Sequence, residues 1–126
     1  VAYYQTGAVD KAVAEFQQSV KDPKKASDSH FYLGRAFQKK KMFDMAEKQY
    51  VMAEADVLSQ DIRLDIMYHR ATLAAEANKI AFAVELGNKI IEVDINYKDI
   101  AEKVEKWSLQ ISNPQLPHVG GNPPTA

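Results

Sequence analysis

The chain has 126 residues, with 16 Lys and Arg against 17 Asp and Glu, three His and no cysteine. That length suits one domain, and a net charge of -1 excludes the strong basic field of a general nucleic-acid binder. The missing cysteine excludes disulfides, thiolate zinc sites and a cysteine nucleophile. No apolar run approaches the roughly 18 residues that a bilayer span needs, so membrane insertion is not expected. Val1 to Gly7 carry neither a basic start nor a long apolar stretch, so no signal peptide is read there. With no initiator Met, the chain reads as a piece of something longer whose targeting lies elsewhere; the cytoplasm is slightly favoured as its compartment.

In chain order, Val9, Val13, Phe16 and Val20 step by four, three and four, which makes one apolar stripe of a helix. A second helix starts at Ser27 or Asp28, residue types that cap helix N-termini, and runs through Phe31, Gly34 and Phe37. A third places Phe43, Ala46, Tyr50, Ala53 and Val57 on one face. Then come Ile62, Ile66, Leu73 and Ala77, followed by Ile80, Val84 and Ile91. Asn96, with Asp99 three residues on, reads as the cap of a last helix whose stripe is Ile100, Val104, Trp107 and Ile111. From Ser112 the chain holds four of its five prolines, a composition that buries no face and reads as a tail or linker over residues 112–126. No stretch alternates with period two long enough for a strand, so the fold class is all-α.

The chain also repeats itself. A shift of 34 residues puts Asp10, Ala12, Phe16 and Ser19 on Asp44, Ala46, Tyr50 and Ala53, and Tyr3 on Phe37. A further shift of 37 puts Gly34 on Ala71 and Ala46 on Ala83, with about three extra residues near Leu58 to Ile62. The units so defined are a partial repeat 1–26, repeats 27–59 and 60–95, and a capping helix 96–111, together a domain over residues 1–111. The motif is carried by Leu33-Gly34, Phe37, Ala46, Tyr50 and Ala53 in the middle unit, and by Tyr3, Ala12, Phe16, a Gly7 at an inter-helix turn and Pro23 in the first. This resembles the tetratricopeptide repeat: an α-solenoid of antiparallel helix pairs closed by a C-terminal capping helix. In the third unit Gly87 stands where a large aromatic belongs and Ile90 replaces a small residue. The run from Ile91 to Ala101 resembles the closing segment of bacterial members of that family, which implies a bacterial source.

The resemblance implies a protein–protein interaction module, a scaffold or adaptor that binds a peptide or partner segment along a concave groove lined by the first helix of each repeat. Carried over position by position, the groove candidates are Tyr4 and Gln5, then Asp28, Phe31, Arg35, Gln38 and Lys39, then Asp65, Tyr68, Thr72 and Glu76. Phe31 and Tyr68 would be apolar anchors, and Arg35 would hold a carboxylate by bidentate hydrogen bonds. The Lys and Asn clamp of the chaperone-tail binders is not reproduced, so that ligand is not expected. An alternative is self-association into a homo-oligomer through Val9, Val13, Phe16 and Val20, which lack most of their covering helix; each large apolar side chain buried is worth about 1.5–3 kcal/mol.

Other features read as ordinary surface. Lys24-Lys25 and Lys39-Lys40-Lys41 sit in a nearly neutral chain, so no nucleic-acid partner is expected. His30, His69 and His118 lack metal-ligand spacing, and no metal or cofactor is expected. Neighbouring acids such as Glu92 and Asp94, or Asp61 and Asp65, have no environment to separate their pKa values. No phosphate loop, nucleophile elbow or His-based triad is present, so the chain is not read as an enzyme. Pro114-Gln115-Leu116-Pro117 matches a bare Pro-x-x-Pro pattern of the kind that is common in linkers.

Overall fold

A computed structural model of the chain describes residues 6–55, 57 and 59–112; Tyr3, Tyr4, Gln5, Leu58 and the Pro-rich segment from Asn113 onward lie outside them. The described residues form six helices: α1 (Thr6–Ser19), α2 (Ala26–Lys39), α3 (Phe43–Ala55), α4 (Gln60–Glu76), α5 (Ile80–Val93) and α6 (Ile100–Ser112). The all-α class therefore holds, with no strand among these residues. The chain divides into two compact units, Val1–Ile66 and Met67–Ala126, and the boundary falls inside α4.

In the first unit α2 is the central element. It buries Leu33, Gly34, Ala36 and Phe37, and α3 answers with Ala46, Tyr50 and Ala53, each fully excluded from solvent. The two helices touch because residue 34 has no side chain. A Cβ there would lie 2.5 Å from Cδ1 and Cε1 of the Tyr50 ring, well inside van der Waals contact. Polar bonds join α2 to the C-terminal part of α3. Ser27 Oγ donates to the Ala53 carbonyl at 3.0 Å, His30 Nδ1 donates to Gln49 Oε1 at 2.7 Å, and the Tyr50 hydroxyl donates to Gln38 Oε1 at 2.7 Å. The Ser27–Ala53 and His30–Gln49 pairs run in antiparallel register. Helix α1 packs on the other side of α2, also antiparallel, through Phe16 stacked on Tyr32 at 5.5 Å and an Asp10–Lys40 ion pair.

The second unit repeats the close approach between α5 and α6. A Cβ at Gly87 of α5 would collide with Val104 Cγ2 and lie 3.7 Å from Trp107 Cζ3. Val104 and Trp107 of α6 thus fill the space where the repeat pattern called for an aromatic at position 87. Leu86, Ile90, Ile100 and Trp107 are nearly or fully excluded from solvent.

Several sequence expectations need correction. Neither Ser27 nor Asp28 caps α2: the helix starts at Ala26 behind Lys25, with no side-chain cap. The Asp22 carboxylate accepts from the Lys24 amide and the Asp22 carbonyl from the Lys25 amide, so the chain enters α2 already turned, and Ser27 is free to bond to α3. Gly7 lies in the first turn of α1 rather than between helices. Asn96 does not cap α6; its amide donates to Asp94 Oδ1 at 2.9 Å, and α6 starts only at Ile100. Ile62 and Ile111 are about half exposed, at 50% and 51%, whereas Leu64, Met67 and the polar Gln110 are buried. Val84 and Ile91 are only partly buried while Ala83, Leu86 and Ile90 face inward, a rotation of the stripe that follows from Gly87 meeting α6. The extra residues of the third unit extend helix rather than loop: α4 has 17 residues against 14 for α2.

Two turns share one construction. After α2, Lys41 has φ 61°, its amide donates to Gln38 and the Met42 amide to Phe37. After α4, Asn78 has φ 63°, its amide donates to Ala75 and the Lys79 amide to Ala74. This is the left-handed C-terminal cap that favours glycine, and Lys at position 41 carries a Cβ penalty that Gly would avoid. Replacing Lys41 with Gly should raise stability by roughly 0.5–1 kcal/mol, read as a higher urea midpoint at unchanged slope. A lower midpoint would mean that the turn is not set by this backbone geometry.

Candidate functional site

The face of α2 opposite its buried residues follows from helical spacing: with Leu33, Gly34, Ala36 and Phe37 turned inward, Asp28, Tyr32, Arg35 and Lys39 are exposed. Two depressions flank this strip within the first unit. The larger, about 280 Å³, lies between α1 and α2 and is lined by Ala8, Val9, Ala12, Phe16, Tyr32, Arg35, Ala36 and Lys39. Small residues open it: three alanines and a valine line the floor, and the stacked Phe16–Tyr32 pair stands as a wall. The smaller, about 40 Å³, is lined by Ser27, Asp28, Phe31, Ile62, Asp65 and Ile66.

The groove candidates separate on inspection. Arg35 and Lys39 line the larger cleft, Asp28, Phe31 and Asp65 the smaller pit. Phe31 is no free anchor, because its half-buried ring packs 5.5 Å from Tyr32 and 5.9 Å from Tyr50. Gln38 is spent on the Tyr50 hydroxyl. In the second unit the Thr72 hydroxyl donates to the His69 carbonyl at 3.0 Å, within its own helix, and Glu76 is half-buried. Tyr4 and Gln5 lie outside the described residues. Sequence reasoning missed Ala8, Ala12, Tyr32 and Ala36 as cleft residues, the alanines because nothing in their spacing separates a cavity lining from a packed helix face. The self-association stripe is not bare either: Val9 is buried, and Val13, Phe16 and Val20 are partly buried.

Tyr68 has a local task. Its hydroxyl donates to Asp99 Oδ1 at 2.5 Å, its ring meets Tyr97 edge-on at 6.1 Å, and Lys98 Nζ sits 4.8 Å from the ring centroid. The cluster ties α4 to the turn before α6. The Tyr68 hydrogen bond is the largest influence on the Asp99 carboxyl; burial opposes it, the charge of Lys103 adds to it, and the carboxyl is held below its ordinary range. A carboxyl depressed in the folded state contributes stability above its unfolded value of about 3.9, and that contribution disappears as pH falls through the folded value. Tyr68→Phe should therefore lower stability at neutral pH and flatten the loss seen as pH falls below about 4. Parallel pH–stability curves for both proteins would show that the bond does not set the Asp99 titration.

Among the described residues, no group of three metal-ligating side chains converges, and no helix is long and apolar enough to cross a membrane. No family model, curated protein or solved structure matches the chain.

Proposed function

We propose that this chain is a protein–protein interaction module that binds a peptide or partner segment, a diverged tetratricopeptide-like array serving as scaffold or adaptor within a larger, bacterial protein. The observation that carries this reading is the outward face of α2. It places charged Asp28 and Arg35 either side of exposed Tyr32, beside a cleft with an apolar floor. Specific peptide recognition needs both parts, apolar pockets for anchors and placed polar groups for register. Support for a repeat comes from the matching turns at Lys41 and Asn78, which stand 37 positions apart, as do the starts of α3 and α5. Self-association through Val9, Val13, Phe16 and Val20 ranks second, since α1 already has α2 against it.

The test is a sequence-diverse array of short peptides probed with the full chain and with the surface variants Asp28→Ala and Arg35→Ala, circular dichroism serving as the folding control. The reading expects a related set of peptides to bind and at least one variant to weaken them several-fold. Absence of binding to any peptide, or binding untouched by both variants, would remove it.

A further inference from the structure

We infer that the cleft between α1 and α2 is a docking site for an acidic peptide, taking one aliphatic or aromatic side chain onto its floor and the neighbouring carboxylate at Arg35; this rests on the peptide-binding reading and gives the partner its chemistry. The cleft's volume of about 280 Å³ falls just under the 300–1,000 Å³ typical of small-molecule sites, a size suited to one or two side chains. Its floor offers Val9 and Ala12, and the Phe16–Tyr32 stack closes one side. All the charge on its lining is positive, from Arg35 and Lys39. Arg35 is exposed and has no hydrogen-bond or ion-pair partner among the described residues, so its planar fork of donors is available for bidentate binding of a carboxylate. The nearby acid is already spoken for, because Asp10 pairs with Lys40.

Charge also decides against a second copy as the occupant. A two-fold contact sets the same patch against itself, which would bring the Arg35 guanidinium of each copy together with no carboxylate on the cleft lining to neutralise it. An acidic segment meets the opposite condition: attraction steers the encounter, and the apolar anchor supplies residence time.

The experiment is fluorescence anisotropy with two labelled peptides, Glu-Asp-Glu-Leu-Phe-Glu-Asp-Glu and its counterpart with Lys at every acidic position, against the full chain. The proposal expects the acidic peptide alone to bind, and high salt to weaken it. Arg35→Glu should weaken it by at least about tenfold, since a hydrogen-bonded charge pair is lost. Ala12→Leu, which fills the floor without touching any charge, should weaken it comparably while the helical signal and melting midpoint stay near those of the parent. Equal binding of the two peptides, or acidic-peptide binding unchanged by Ala12→Leu, would overturn the proposal. Dimerisation seen by sedimentation and abolished by Ala12→Leu would also overturn it, assigning the cleft to a second copy. If the array yields only neutral or basic binders that depend on Asp28, the general reading stands and the acidic cleft falls; if nothing binds at all, both fall.

Discussion

The first unit depends on how closely α2 and α3 approach at Gly34. Tyr50 is a large side chain with no solvent exposure, and it can be buried whole only because the facing helix presents bare backbone to its ring. Glycine inside a helix costs about 1 kcal/mol relative to alanine. That cost is offset by burial of an aromatic, by the Tyr50–Gln38 hydrogen bond and by the register that brings Ser27 to Ala53 and His30 to Gln49. The orientation of α2 then decides which of its residues face outward. Arg35 is next to Gly34 in sequence, so the contact that fixes one also fixes the other, and the candidate site follows from the core.

The second unit reaches a similar result from a different residue set. Gly87 again admits large neighbours from the following helix, here Val104 with Trp107. A helix bearing Ile100, Val104 and Trp107 on one side completes a core that the α5 residues could not fill themselves. The Tyr68–Asp99 bond and the Lys98 ammonium over the two tyrosine rings then secure the turn leading into it.

Much of this was legible in the residues. Six helices and the stripe Ile100, Val104, Trp107 follow from spacing, and Gly34 and Tyr50 were both among the residues that carry the repeat motif. Helix starts were not legible: Ser27 has good capping chemistry but its hydroxyl is taken by the Ala53 carbonyl, and α2 and α6 start at Ala26 and Ile100, away from Asp28 and Asn96; local preference is a weak prior once tertiary bonds are on offer. The face of α4 was also obscured: Leu64, Ile66, Met67, Ala71, Leu73, Ala74 and Ala75 are all buried, spread too widely around the helix to form a single stripe. Of the site, the charges Arg35 and Lys39 could be read from sequence, whereas the cleft beside them could not. Its space is made by alanines, and an alanine lining a cavity looks in sequence like an alanine packed in a core.

If the Gly34–Tyr50 approach organises the first unit, the two positions must be energetically coupled. The direct measurement is a double-mutant cycle in urea unfolding with Gly34→Ala, Tyr50→Val and the pair. Gly34→Ala alone should destabilise, because overpacking costs about 1–3 kcal/mol and outweighs the helix-propensity gain. In the Tyr50→Val background, with the ring gone, the same change should be neutral or stabilising. An effect of Gly34→Ala that is the same size in both backgrounds would contradict the account.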